Sequence, residues 1–238
     1  MRRIVVAVTL LLPFARAATA QTPVSPYRFG WGDAASVTAA GVVFLLPTAM
    51  GLPHGAPSCA PCDPATLPDV DRWAVRPLSR SAATASTALL AGVGGFAVIL
   101  SIRDLPLEQA RGNAAVLANA VGWTAASTEW LKVLVRRKRP VLYTSTAAAE
   151  AGDRDNQQSF PSGHASVAFA VATSYFVMAR REHLRHSTRN ALLLYAGAAG
   201  VGALRVAASK HFPTDVAAGA LLGTGIGWLV ATIHPTKP

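Results

Sequence analysis

Eight residues in the second half of the chain have the types needed to grip an oxyanion and move protons around it. They fall into three short clusters: KVLVRRKRP over 132–140, PSGH over 161–164 and RVAASKHFPTD over 205–215. Lys132, Arg139 and Arg205 are fixed cations; Ser162 and Gly163 offer a hydroxyl and a closely approaching amide; His164 and His211 can exchange protons or attack; Asp215 can orient a histidine. Cations that neutralise phosphate oxygens, beside a histidine that attacks phosphorus, form a set for cleaving a phosphate ester. No metal-ligand spacing accompanies them.

Lys132 and Arg139 are two helical turns apart and share a face if the helix continues that far. Arginine can bind phosphate through two donors, and Pro140 helps to end the helix. Arg136, Arg137 and Lys138 crowd the same turn, so the cluster also reads as a charged membrane flank. PSGH precedes an apolar helix, with Ser162 as N-cap, Gly163 admitting close approach and His164 in the first turn. Free N–H groups and the helix dipole favour an anion there, although a plain capping motif would look the same. His211 and Asp215 flank Pro213, a favoured residue of a first helical turn. A histidine held by a carboxylate on one ring nitrogen is a directed nucleophile; the alternative is a structural salt bridge from Asp215 to Arg205 or Lys210. Glu129 is expected to pair with Lys132 on the helix surface. His54, His183, His186 and His234 lie outside the clusters and are expected to be solvated.

Something must hold these clusters together. Uncharged apolar stretches cover 34–51, 81–102, 112–128, 162–179, 190–204 and 216–233. Most approach the roughly 20 residues that cross a bilayer, and strand-like alternation is absent. The expected fold is all-α, a transmembrane helical bundle of five to six helices whose last four form the core around the clusters. Ala, Gly, Ser and Thr are abundant in these stretches, which weakens the membrane signal and keeps a soluble helical bundle as an alternative. Gly219, Gly223 and Gly227 mark one helix face for close packing, read as packing within one subunit rather than a dimer seam.

Composition agrees. The chain is 51% hydrophobic and 14% charged, against about 25% charged in soluble domains. Its net charge of +10 lacks the interleaved aromatics of a nucleic-acid platform; membrane orientation and phosphate binding explain it better. Neither nucleic acid nor a cofactor is expected.

Residues 1–20 read as a signal peptide or N-terminal anchor: Arg2 and Arg3, an apolar run, then Ala18-Thr19-Ala20. Residues 21–80 carry an apolar helix and a Cys-containing loop, and 81–238 the helical core. In an exported chain Cys59 and Cys62 favour a small disulfide, with unpaired thiols as the alternative ahead of redox or zinc chemistry. Arg180, Arg181, Arg185 and Arg189 stand against Glu182 in one connection, which the positive-inside rule assigns to the cytoplasm. All three clusters lie at the opposite helix ends, facing the periplasm. A cleaved signal followed by a spanning 34–51 segment would reverse this, so either 34–51 lies on the membrane surface or residues 1–20 stay in the cytoplasm.

Taken together, Lys-x6-Arg-Pro, PSGH and Arg-x5-His-x3-Asp closely resemble the three-part signature of the type 2 phosphatidic acid phosphatase superfamily, which includes membrane lipid phosphatases, bacterial acid phosphatases and vanadium haloperoxidases. The resemblance implies that Lys132, Arg139 and Arg205 bind phosphate oxygens with Ser162 and the Gly163 amide. It further implies that His211 attacks phosphorus, that Asp215 orients its ring, and that His164 protonates the leaving oxygen and then activates water. One position departs: Leu204 stands where the family usually has Ser. Residues 144–160 are expected to form an exposed loop over the site.

The expected activity is metal-independent hydrolysis of a lipid phosphate or pyrophosphate at the periplasmic face of a bacterial inner membrane, with lipid phosphate and membrane lipid as partners. Polyprenyl pyrophosphate, phosphatidate and phosphatidylglycerol phosphate are candidate substrates. A soluble periplasmic acid phosphatase acting on small phosphomonoesters and a catalytically silent phosphate-binding membrane protein are the alternatives.

Overall fold

The computed structural model describes residues 26–235; the signal peptide or anchor expected over 1–20 lies outside them. Each of the six apolar stretches forms a long helix: α1 (Trp31–Ala49), α3 (Arg80–Ile102), α4 (Leu107–Val135), α6 (Gly163–Arg181), α7 (Ser187–Ala207) and α8 (Pro213–Ile233). Two short helices, α2 (Asp69–Arg72) and α5 (Ala147–Glu150), sit in the connections. All regular elements among the described residues are helical. Four of them, α1, α3, α7 and α8, are long and apolar enough to cross a membrane, which makes this a membrane protein by composition and architecture.

The bundle is built around α6, which packs against α3, α4, α7 and α8. Its inward positions are small, including Ala165, Ser166, Ala168, Ala170 and Ala172, so neighbouring backbones come close. Against α8 the fit is closest. A Cβ on Gly219 would lie 2.6 Å from the Ser162 carbonyl oxygen and one on Gly227 2.5 Å from that of Ala170, while one on Gly223 would overlap the Ser166 carbonyl. The glycine face therefore packs inside one subunit, as its spacing suggests. Large apolar side chains point outward instead: Ile99, Leu192, Leu193, Leu221, Trp228, Leu229 and Ile233 are exposed. Small residues inside and large ones outside suit a lipid-facing bundle.

Helix α1 lies lengthwise along α4 rather than on a surface. The Asn119 amide donates to Asp33 at 3.2 Å, the Trp123 indole to Ser36 at 2.9 Å, and the Trp130 indole to the Val43 carbonyl at 2.9 Å. The 34–51 segment is thus part of the bundle and, by length and composition, able to cross a membrane with it. His234, expected to be solvated, is buried at the end away from the clusters, between the Arg28 carbonyl and Asp33.

The α1–α3 connection folds over the cluster end. Cys59 and Cys62 form a disulfide, and the Cys62 amide donates to the Leu142 carbonyl at 2.8 Å. Residues 144–160 are exposed at Ser145, Thr146, Ala148, Ala149 and 152–154, as expected, but α5 and a 3-10 turn, Arg154–Gln157, order the segment, and Asn156, Gln157, Gln158 and Ser159 are buried. Backbone groups there are taken up internally, by the Arg139 amide on the Asn156 carbonyl and the Ser159 amide on the Arg137 carbonyl.

Candidate active site

The C-terminal ends of α4 and α7 and the N-terminal ends of α3, α6 and α8 share one end of the bundle, and all eight candidate residues gather there. Lys132 sits in the last turn of α4 and pairs with Glu129 at 3.1 Å, the expected partner. Its ammonium lies 3.7 Å from where a Gly163 Cβ would be, which sets the lysine against the N-terminal end of α6.

Arg139 does not share a helix face with Lys132. Arg136 adopts a left-handed conformation (φ 50°, ψ 39°) and caps α4, four residues ahead of Pro140, which instead opens a 3-10 turn. The chain then runs extended, and the Arg139 guanidinium enters the protein from outside the helix. Its Nη2 donates to Asp155 at 2.6 Å, while Nε and Nη1 are buried without a partner. Burial pulls this guanidinium below its usual range, with Asp155 opposing the shift.

Arg205, in the last turn of α7, donates from Nη1 to Ser86 of α3 at 3.3 Å and has an unpartnered buried Nε. Where Leu204 lacks a hydroxyl, the Ser86 hydroxyl reaches the arginine from another helix. Ser162 occupies the N-cap position of α6, but its hydroxyl makes no capping bond and is buried without a partner. Eight buried side-chain atoms among the described residues lack a partner, and every nitrogen among them belongs to Arg139 or Arg205. Buried donors are nearly always satisfied in folded proteins. Three guanidinium N–H groups and one hydroxyl from different segments are what a bound oxyanion would satisfy together.

His211 is 1% exposed, and its Nδ1 lies 2.6 Å from the Ser159 carbonyl. A carbonyl only accepts, so Nδ1 carries the proton and Nε2 the lone pair. Burial first, then the positive charges of Arg139 and Arg205, hold the imidazole well below its ordinary pKa, and the Ser159 carbonyl offsets this only partly. The ring is therefore neutral and nucleophilic near neutral pH.

Asp215 does not bond to that ring, contrary to the role expected of it. Its Oδ2 is 3.9 Å from Nδ1 and instead accepts from the Ser159 hydroxyl at 2.5 Å and the Phe212 amide at 2.8 Å. Oδ1 accepts from Arg137 at 2.5 Å. The reason is positional: as the third residue of α8, Asp215 turns back to accept the amide of the N-cap residue Phe212. Ser159 spans the gap, with its hydroxyl on Asp215 and its carbonyl on His211.

Arg137 joins this arrangement to a second buried carboxylate. Its Nη2 donates to Asp71 of α2 at 2.7 Å, and the guanidinium stacks 4.4 Å over the Phe212 ring. Asp71 also accepts the Thr214 amide at 3.1 Å and the Thr214 hydroxyl at 2.7 Å. Burial alone would raise the Asp71 carboxyl, but the bonds from Thr214 and Arg137 bring it below the usual carboxylate value. His164, in the first turn of α6, has Nε2 3.1 Å from the Thr87 hydroxyl of α3.

Asp71, Ser86, Thr87, Arg137 and Ser159 are thus part of the site although no sequence spacing marks them. Arg137 alone stood inside a cluster, and there it looked like one flank charge among several. Among the described residues no three His, Cys, Asp or Glu side chains converge as metal ligands. The arrangement offers cations, a neutral histidine with a free lone pair and a second histidine.

Comparison with known proteins supplies one match. A family model described as the PAP2 superfamily covers residues 113–238, just over half the chain and all three clusters. No curated protein and no solved structure matches the chain.

Proposed function

The chain belongs to the PAP2 superfamily, and from that premise we propose that it hydrolyses a lipid phosphate or pyrophosphate through a phosphohistidine intermediate. Phosphatase activity on phosphate esters follows from the family; the lipid substrate and the intermediate are the finer reading. The observation that carries it is the group of unpartnered buried donors on Arg139, Arg205 and Ser162 beside a neutral histidine.

In this reading Lys132, Arg139 and Arg205 take the non-bridging phosphate oxygens, with the Ser162 hydroxyl and the Gly163 amide. The lone pair on His211 Nε2 attacks phosphorus as the bond to the leaving oxygen breaks, and His164, in its imidazolium form for this step, gives that oxygen its proton and is left neutral. The Nδ1–H bond to Ser159 keeps the ring aimed. His164 then takes a proton from water as the water oxygen attacks phosphorus, the P–N bond breaks to restore His211, and inorganic phosphate leaves. Fixed donors around a transferring phosphoryl group stabilise its charge without reorganising.

One feature favours an amphiphile. The site lies at one end of a bundle whose outer faces are apolar, where a lipid headgroup would meet it with its chains in the hydrocarbon. The arginine-rich connection 180–189 lies at the other end, which supports a cytoplasmic position for that end and a periplasmic site. With α1 crossing in parallel with α4, its N-terminal end then lies on the cytoplasmic side. Turnover of a panel of lipid and water-soluble phosphates by detergent-purified protein tests the substrate class. Preference for lipid phosphates supports the reading; release of the protein by osmotic shock with activity only on small esters overturns it.

A further inference from the structure

We propose that Asp71 is a positioning residue for the His211 nucleophile, acting through Arg137, Asp215 and Ser159. The proposal rests on the phosphohistidine reading above. Asp71 lies outside the span that the family model covers, on a four-residue helix between α1 and α3, yet it is fully buried. Its carboxylate bonds run to Arg137 and Thr214, in the nucleophile's surroundings.

From Asp71 the contacts form one continuous path. Its Oδ2 accepts from Arg137 Nη2 at 2.7 Å; Arg137 Nη1 donates to Asp215 at 2.5 Å; Asp215 accepts the Ser159 hydroxyl at 2.5 Å; and the Ser159 carbonyl accepts from His211 Nδ1 at 2.6 Å. A parallel arm fixes the backbone. Thr214, bonded to Asp71 through its amide and hydroxyl, is in the first turn of α8, three residues after His211.

The path also sets a charge. Two carboxylates share one guanidinium, which leaves one net negative charge behind the histidine. When Nε2 accepts the phosphoryl group while Nδ1 keeps its proton, the ring becomes positive. A net negative charge nearby stabilises that state, and Asp215 at 3.9 Å is within range. Without Asp71, Arg137 would be free to neutralise Asp215 completely, and the negative charge facing the ring would be lost. Asp71 thereby keeps Asp215 effective at a distance too long for a hydrogen bond.

Detergent-purified Asp71→Asn tests this, with Asp69→Asn as control because that side chain, on the same helix, is 92% exposed. The expected result is a kcat lower by roughly ten- to hundredfold, from loss of charged hydrogen bonds, with KM for a lipid phosphate nearly unchanged. The acid limb of kcat/KM should move to lower pH, because removing negative charge makes the His211 proton easier to lose. Asp69→Asn should match wild type, and Asp71→Glu should recover part of kcat. If Asp71→Asn does not fold, Thr214→Val, which deletes only the hydroxyl, decides by a smaller fall in kcat at constant KM. A kcat within twofold of wild type in the folded variant, or an effect confined to KM, overturns the proposal.

Ring 15N shifts of His211 give a readout that needs no turnover. Wild type should show the Nδ1-protonated tautomer and Asp71→Asn a mixture, while identical shifts overturn the relay. A wild type that cleaves no phosphate ester would refute the phosphatase reading, and the shifts would still judge the relay.

Discussion

Replacing Arg139 by lysine keeps the charge and removes the donor geometry, so it isolates what the guanidinium contributes. Arg139 spends one nitrogen on Asp155 and holds two more, Nε and Nη1, buried without partners. With a phosphoryl group in place each of those can make a charge-assisted bond, worth about 1.5–3 kcal/mol. A lysine at the same place can keep the Asp155 contact or direct its ammonium at the phosphate, and makes at best one of the two phosphate bonds. One lost bond raises the barrier by about 1.5–3 kcal/mol, which is roughly 10- to 150-fold in kcat/KM. Substitution should not unfold the chain, because the Arg139 amide still bonds the Asn156 carbonyl. Initial rates on a lipid phosphate in detergent micelles measure the effect. Arg136→Lys serves as comparison, since that exposed side chain holds only the His54 carbonyl and Gln157 and should stay within a few-fold of wild type. A kcat/KM for Arg139→Lys within twofold of wild type would refute the assignment of Arg139 to the phosphate.

Further outcomes follow from the same geometry. Because burial and two arginines lower the His211 pKa, the ring stays unprotonated as pH falls below 6.5, where an ordinary histidine becomes mostly protonated. The acid limb of kcat/KM, corrected for titration of the substrate phosphate, should therefore lie below 6.5; a limb at or above that value contradicts the neutral buried nucleophile. Gly223→Ala drives a methyl into the Ser166 carbonyl and should cost about 1–3 kcal/mol, seen as a lower melting temperature in detergent. Gly225→Ala meets nothing within 4 Å and should melt at least as high as wild type. Chelator should leave turnover intact while vanadate inhibits it, and loss of activity with chelator would require a metal in the reaction.

The six helices could be read from apolar length alone, and the eight candidate residues from local spacing, because both signals are written within a few turns of chain. What escaped depends on distant partners. Asp71 meets Thr214 across 143 residues, and Ser86 meets Arg205 across 119, and neither pairing has a local pattern. Asp215 was expected on the His211 ring because a carboxylate commonly orients a catalytic histidine and the resemblance assigns it that role. His211 precedes α8, however, and Asp215 turns back to cap that helix at Phe212, so a backbone carbonyl holds the ring. Arg139 would share a helix face with Lys132 only if the helix continued two turns beyond it, and the left-handed Arg136 ends it first.

The most direct test is to trap the phosphoenzyme. Wild-type protein mixed rapidly with a 32P-labelled lipid phosphate and quenched in alkali should retain alkali-stable, acid-labile label on the peptide that contains His211. His211→Ala should carry none and release no phosphate. Label on another residue, or phosphate release undiminished in His211→Ala, would contradict a phosphohistidine at His211.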